Sequence, residues 1–389
     1  MANIKAFKAL HPNGSRINNR FIEHAEVGLG EEMLEIKRML VPKKGSSLVL
    51  GTIQTYDDNL NELIDSGLYH QEKEPAIYIY ELQINQGRQY GVWVMTDIQD
   101  LLNGAMITHE NTLADREARL HEYRKDIGLE GSPVLLTYRP QAEINVLIEQ
   151  IVKSREAEIF SIGGIAHRLW KVNEVNFILK FKNAFQKVNR VYVADGHHRL
   201  AAAEELHKVK PQWITALYVS SDQIKISEFN RVVIPEKKVS KSELFSAIET
   251  YFYISPIPGN VPFRPNKQHC FGVCFDGVWY QLDLKEDKAM LKQETDVAIL
   301  QHKILQPLFG IDNPATNPCL HSFPTNRWEE MLTEAKNNPT AVVFSLYPMS
   351  VDQLIGQVEK HVTLPPKSTF IEPKIPFGLL LYSHKLDEE

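Results

Sequence analysis

The chain has 389 residues, 43% of them hydrophobic and 24% charged, with a formal net charge of −6. That balance is ordinary for a globular protein and long enough to bury a sizeable core, and it argues against a general nucleic-acid binder, which carries a basic surface. Three cysteines, Cys270, Cys274 and Cys319, are too few for a disulfide framework, and the sequence has neither a signal-peptide-like start nor an apolar run of ~18 residues; a cytoplasmic protein off the membrane is expected.

Residues 1–46 hold scattered apolar positions and a basic cluster at Lys37, Arg38, Lys43 and Lys44. From Ser47 the pattern sharpens. Leu48, Val49 and Leu50 read as a strand, and Asp57 or Asp58 caps a helix bearing Leu60, Leu63 and Ile64. Two runs of β-formers, 76–84 and 90–96, flank Asn85, Gln86 and Gly87 and predict an antiparallel hairpin. A helix from about Leu113 precedes a strand at 133–138. Ile144, Leu147, Ile148 and Ile151 then follow the i, i+3, i+4, i+7 rule across a helix at 141–155. Strands at 158–162 and 167–172 and a helix at 174–188 lead to a short apolar strand, Val191 to Ala194.

An Ala-rich helix from Arg199 follows, then strands at 213–220 and 229–234 and a helix at 240–252. Pro256, Pro258, Pro262 and Pro265 with Gly259 predict a linker, which divides the chain into an N-terminal region, 1–252, and a C-terminal region, 253–389. Beyond it, runs at 271–275 and 278–284 flank Asp276-Gly277, the strongest hairpin signal in the chain. A helix at 296–309 turns Val297, Leu300, Ile304 and Leu308 inward and stops at Gly310. A helix at 328–336, a strand at 341–347, a helix opened by a Ser350/Gln353 capping box and a strand at 377–381 complete the pattern. Interleaved strands and helices, some paired as hairpins, predict an α+β (mixed α/β) fold.

The chemistry gathers where Val191–Ala194 meets the Ala-rich helix. Asp195, Gly196, His197, His198 and Arg199 put a carboxylate, a glycine, two imidazoles and a guanidinium into one bend. The helix start beneath them offers unpaired N–H groups and a partial positive charge, which favour an anion, phosphate first. Each residue alone has a plain explanation: Asp-Gly is a common turn, Asp caps helices, a histidine packs, an arginine is solvated. Together they read as a site. Arg199 can hold a phosphate bidentately, His197 and His198 can move a proton near neutral pH, and Asp195 can hold magnesium.

Two further stretches are candidates. Thr108-His109-Glu110 sets a carboxylate beside an imidazole, suited to a general base or a metal ligand, with Arg116 and Arg119 adding charge; a solvated surface Glu is the plainer alternative. Lys367-Ser368-Thr369, with Lys374, suits phosphate oxygens or is a proline-stiffened connector. Cys270 and Cys274 share one strand face and read as core. No P-loop, dinucleotide, G-x-S-x-G or H-E-x-x-H pattern is present.

The run Ala194-Asp195-Gly196-His197-His198-Arg199 resembles the family called domain of unknown function 1015, within the ParB/sulfiredoxin superfamily. Other stretches agree: His109-Glu110 with Thr112 ahead of Arg119-Leu120, Ser132-Pro133, His167 to Trp170, Arg231 to Val233, Pro365 to Thr369 and Pro373-Lys374. The resemblance runs from about Ala76 onward; the first fifty or so residues match poorly, and Ala118 stands where a carboxylate is usual. It implies a ParB/sulfiredoxin-like core with flanking α/β elements and a nucleotide or phosphate cradle on a G-x-x-R turn, here Gly196 to Arg199. Sulfiredoxins carry a catalytic Cys where His197 stands, which disfavours that reductase activity. Free-serine kinases carry a D-G-x-H-R turn and a distant catalytic Glu; Asp195, His198 and Arg199 match the turn, and Glu110 is the candidate Glu. The resemblance implies a phosphotransferase or phosphohydrolase acting on a small hydroxy amino acid, serine or phosphoserine, with Mg2+ and ADP or ATP. The alternative is a regulatory protein that binds a nucleotide or phosphate without turnover. A phosphorylated small molecule is the expected partner in either case, with no nucleic acid.

Overall fold

The structure is a computed structural model that describes residues 1–12, 64, 65, 67, 69–84, 87–109, 118, 120, 121, 124, 125, 128–162, 165–360, 362, 364–372, 375, 376 and 378–385. It contains both helices and strands in mixed order, the α+β class expected. The chain divides into two units, residues 1–108 with 112–224 and 373–389, and residues 109–111 with 225–372. The strand expected at 48–50 and the helices expected near 57–66 and from 113 fall wholly or mostly outside the described residues.

The first unit is built on strands β1 (Ile4–Lys5), β2 (Leu10–Pro12), β3 (Tyr69–Gln71), β4 (Ile77–Ile84) and β5 (Gly87–Asp97), followed by the short helix α1 (Gln99–Leu102). Next come β6 (Met106–Ile107), β7 (Leu129–Glu130), β8 (Val134–Tyr138), α2 (Ala142–Ser154), β9 (Glu158–Ile162), β10 (Ile165–Val172) and α3 (Val175–Gln186). The strand β11 (Val191–Asp195), α4 (His197–His207) and β12 (Trp213–Ser220) close the series. Among the described residues the main sheet runs β6-β11-β8-β12-β5-β4-β10-β9, with β1 on β5. Its pairs are antiparallel except β11 with β6 and β12 with β8. The expected hairpin is β4–β5, in register from Tyr78 opposite Trp93 to Ile84 opposite Gly87.

Strand alternation decides which side is dry. Ile77, Ile79, Val92, Val94, Val134, Leu136, Val191 and Val193 share one core with Ile144, Leu147, Ile148 and Ile151 of α2 and Phe181, Ala184 and Phe185 of α3. The four α2 residues are those the sequence periodicity selects. Leu200 and Ala203 of α4 enter the same core, which fixes the start of α4 at the end of β11. The unit is also tied to its C-terminal segment by main-chain and ionic contacts. β7 pairs with a terminal strand, Tyr382–Ser383, and Leu10 exchanges backbone hydrogen bonds with Leu381. The last strand therefore lies just beyond the 377–381 expected, with Leu381 making only an isolated bridge.

Glu130, on β7, has a side chain 9% exposed and a full set of donors. Arg124 and His384 Nε2 (2.6 Å) donate to Oε1, and Thr215 N (2.8 Å) and Oγ1 (2.7 Å) donate to Oε2. Burial alone would raise this carboxyl, but Arg124, His384 and Thr215 together hold it well below the usual carboxylate range.

The second unit contains β13 (Lys225–Ser227), β14 (Phe229–Val233), α5 (Lys241–Glu249), β15 (Phe252–Pro256), β16 (Cys270–Phe275) and β17 (Val278–Leu284). A helical run follows as α6 (Asp296–Leu300), a π-helical turn (Gln301–Leu305) and α7 (Gln306–Phe309). Then come β18 (Leu320–Pro324), α8 (Trp328–Asn337), β19 (Val342–Ser345), α9 (Val351–Glu359) and β20 (Phe370–Glu372). The six-stranded antiparallel sheet has the order β15-β17-β16-β19-β14-β18, and β13 pairs with β20. Phe271, Val273, Phe344 and Val233 pack with α5 and the α6–α7 run, whereas Val232, Val343 and Trp279 pack with Trp328 and Met331 of α8.

Several sequence expectations are sharpened here. Asp276 (φ 47°) and Gly277 (φ 75°) are both left-handed, as a two-residue I′ hairpin requires. The capping boxes at Ser240/Glu243 and Ser350/Gln353 are formed. The helix expected to reach residue 252 ends at Glu249, and part of the proline-rich stretch, Phe252–Pro256, is an edge strand of this unit's sheet. An edge strand tolerates Pro256, whose missing N–H breaks no interior ladder. The helix expected across 296–309 widens at Gln301–Leu305 because Pro307 offers no N–H to the Lys303 carbonyl.

Gly272 leaves room for a cross-strand contact. A Cβ there would lie 2.2 Å from Ser345 Oγ and 3.1 Å from the Phe263 carbonyl oxygen, which Ser345 Oγ itself bonds at 2.7 Å. Gly272→Ala is expected to lower stability by about 1–3 kcal/mol, read as the midpoint of urea unfolding. No helix among the described residues is long and apolar enough to cross a membrane.

Candidate functional site

The bend singled out in the sequence is a strand–turn–helix in the first unit. Val191 to Ala194 are at most 5% exposed, so the strand carries its C-terminal end out of a dry core. A register shift between Val193 and Asp195 opposite β8 frees the backbone to turn. Gly196 then takes φ 95°, ψ 22° and serves as the N-cap of α4. L-residues avoid that left-handed conformation, and glycine enters it without penalty. The helix begins two residues earlier than the alanine run suggests: His197, His198 and Arg199 form its first turn rather than a loop before it. Alanine propensity marks the body of the helix, but the glycine decides where it starts.

Three other helices start on a side-chain cap, and α4 does not. Ser240, Thr295 and Ser350 cap α5, α6 and α9 through side-chain oxygens. At α4 the N-cap has no side chain, no side-chain cap bond is made and no acidic residue lies in the first turn. The positive pole is surrounded instead by two imidazoles and a guanidinium. His197 is buried at 8% exposure, while His198 and Asp195 are half-buried.

Arg199 faces inward. Its Nη1 donates to the Ser132 carbonyl at 2.8 Å, and Nη2 lies 3.5 Å from Asp195 Oδ2, at the limit of a hydrogen bond. The sequence expectation gives this guanidinium to a phosphate; in the structure these two donors meet the Ser132 carbonyl and Asp195. Ser132 enters through its main-chain oxygen, which no side-chain pattern could have flagged.

The remaining candidates divide. His109 is 3% exposed and belongs to the second unit, where its carbonyl accepts from Leu364 N at 3.1 Å. Lys367, Ser368 and Thr369 lie in that unit too. Lys367 is exposed with φ 59° and holds its Nζ 5.4 Å from the Phe229 ring, Ser368 Oγ donates to the Pro365 carbonyl, and Thr369 is half-buried. The loop is gripped by Arg231, 1% exposed, whose Nη2 donates to the Lys367 (2.8 Å) and Pro366 (3.3 Å) carbonyls. Arg231 stood in one of the resemblance stretches without a role; its burial supplies one. Glu110, Arg116, Arg119 and Lys374 lie outside the described residues. Cys270 is fully buried, and burial pushes the thiols of Cys270 and Cys274 up to about 11, as expected of core cysteines. Among the described residues no three His, Cys, Asp or Glu side chains gather as a metal site.

The sequence model of the family described as protein of unknown function (DUF1015) matches residues 33–305. The chain belongs to this family. Three solved structures resemble the DUF1015 chain at low identity. A free serine kinase in complex with AMP is 13% identical, with a TM-score of 0.40 over 74% of this chain and 92% of its own. SbnI with a C-terminal truncation, from Staphylococcus aureus, is 12% identical, with a TM-score of 0.42 over 73% and 85%. A conserved hypothetical protein from Pyrococcus furiosus is 11% identical, with a TM-score of 0.38 over 76% and 96%. These likenesses are too remote to carry an argument about this chain. No curated protein sequence matches it significantly.

Proposed function

We propose that this protein is a phosphotransferase or phosphohydrolase acting on a small hydroxy amino acid, phosphoserine or serine first, with the phosphoryl group seated at the start of α4. The observation that carries this reading is the glycine-capped, acid-free N-terminus of α4, with His197, His198 and Arg199 in its first turn. First-turn N–H groups and the helix dipole favour a phosphoryl group there, and phosphoryl transfer asks the protein mainly for positioning and charge neutralisation. His198, half-buried, moves the proton. Asp195, whose side chain is 42% exposed, is the carboxylate that would hold a magnesium ion, with phosphate oxygens completing its coordination. Glu110 is proposed to activate the serine hydroxyl or a water. The glycine turn also suits the ParB/sulfiredoxin-like cradle implied by Gly196 to Arg199, with ADP or ATP as the second substrate of a transferase.

The test is an assay of the purified protein with phosphoserine and magnesium, with and without ADP, following serine, phosphate and ATP. Turnover is expected, and His198→Ala is expected to lower it by roughly 100-fold or more. Thermal stabilisation by phosphoserine or nucleotide without product would favour the regulatory, non-catalytic alternative. The absence of both turnover and stabilisation would sink the reading.

A further inference from the structure

We propose that Arg199 serves the anion site from behind, as a positioning residue: its fork locks Gly196 and the first turn of α4 onto the start of β8, and does not itself hold the phosphate. The inference rests on the phosphate reading above and assigns Arg199 a different part in it from direct ligation.

Three observations carry it. The first is where the donors go. Nη1 donates to the Ser132 carbonyl at 2.8 Å, two residues before β8 begins, and Nη2 approaches Asp195 at the end of β11. One guanidinium thus spans the two adjacent strands that frame the bend. The second is the space it fills. An ideal Cβ on Gly196 would lie 2.9 Å from Arg199 Nη2, 3.2 Å from Nε and 3.3 Å from the Val134 Cα. The guanidinium therefore occupies the place of a side chain at the N-cap, with β8 backbone beside it. Gly196 is required twice, for its left-handed φ and for the absence of a Cβ. The third is exposure: the Arg199 side chain is 19% exposed against 42% for Asp195. Of the two, the more open group is the carboxylate, not the fork.

The electrostatic consequence follows. Asp195 puts a negative charge beside a pole meant for an anion, and a guanidinium at 3.5 Å offsets it. Arg199 also keeps a permanent positive charge next to the helix start, adding to the dipole without touching a ligand. Lysine cannot replace it, because one ammonium does not reproduce a planar fork reaching two acceptors on different strands.

The experiment uses the full chain and inorganic phosphate as the probe, followed by calorimetry across pH, with thermal unfolding in parallel. Arg199→Lys and Arg199→Ala are both expected to weaken phosphate binding to a similar degree, roughly tenfold. In Arg199→Ala the pH midpoint of phosphate binding should move upward, because the cation next to the imidazoles is gone; a merely structural arginine would not move it. Arg199→Lys binding like the wild type, with Arg199→Ala weak, would overturn the proposal in favour of direct charge contact. A second measurement is independent of phosphate. Gly196→Ala should lower Tm by less in the Arg199→Ala background than in the wild type, the difference being roughly 2–4 °C, since the clash with the fork has been removed. Strictly additive losses would overturn the lock. Absence of phosphate binding by the wild-type protein would overturn the anion reading, and coupling between the two substitutions would then leave the lock standing alone.

Discussion

Replacing Glu130 with alanine is expected to destabilise the first unit by about 3–5 kcal/mol, the range for removing one partner of a buried ionic network, and to lower Tm by roughly 10 °C. The size follows from what remains. Arg124, with a side chain 8% exposed, would keep its bond to the Trp213 carbonyl at 2.7 Å but lose its carboxylate. Thr215 would lose the acceptor for both its N–H and its hydroxyl, and His384 its Nε2 partner. Glu130→Gln should cost less, since the amide oxygen can still accept from Thr215. The carboxyl is held below its ordinary range in the folded protein, so its contribution is complete above about pH 4.5, its unfolded value, and fades as acid protonates it below that. An unchanged melting temperature in Glu130→Ala would show that the network does not hold the terminal strand.

A second large effect is expected in a different pH window. His11 and His167 are 5% and 3% exposed, and burial pushes both from 6.5 down to about 4. His167 Nδ1 lies 2.7 Å from the Tyr80 hydroxyl, which donates to the neutral ring because burial keeps that phenol protonated. His11 Nδ1 donates to the Pro12 carbonyl at 3.1 Å, leaving Nε2 toward Glu158 Oε2 at 3.2 Å. That carboxylate would favour a charged ring. Burial outweighs it, and Glu158 is itself pushed up by burial and by Glu72. Folded values below unfolded ones mean that the unfolded chain binds the protons. Stability is therefore full above pH 6.5 and falls as pH drops toward 4, by about 3 kcal/mol per histidine once both are protonated. Urea midpoints measured from pH 8 to pH 4.5 should decline accordingly, and His11→Asn and His167→Asn should each flatten the slope. A profile flat over that range would contradict the assignment.

How much of this was legible beforehand depends on the kind of signal. Period and punctuation carried well: the apolar stripe of α2, the β4–β5 hairpin, the Asp276-Gly277 turn and the Ser350/Gln353 box all form, because each is set by neighbours within a few residues. The boundaries that moved were set by geometry that sequence does not state. α4 starts at His197 because Gly196 is left-handed, the run after Thr295 widens because of Pro307, and Phe252–Pro256 becomes a strand because β17 offers it a partner. At the candidate site the residue types were visible and their arrangement was not. The five residues of the bend stay together, but Arg199 turns inward onto a main-chain oxygen, and His109 and Ser368 fall in the other unit. Glu130 and Arg231 drew no attention as hubs, since a lone charged residue in a β run gives no hint that it is buried with its partners supplied by distant segments.

The grip of Arg231 on the loop at 366–367 has an evolutionary corollary. Its bonds to that loop go to peptide oxygens, so they do not depend on which side chains those two positions carry. A substitution at 367 that tolerates the positive φ and forgoes the Phe229 ring contact leaves this grip in place, whereas replacing the arginine removes it.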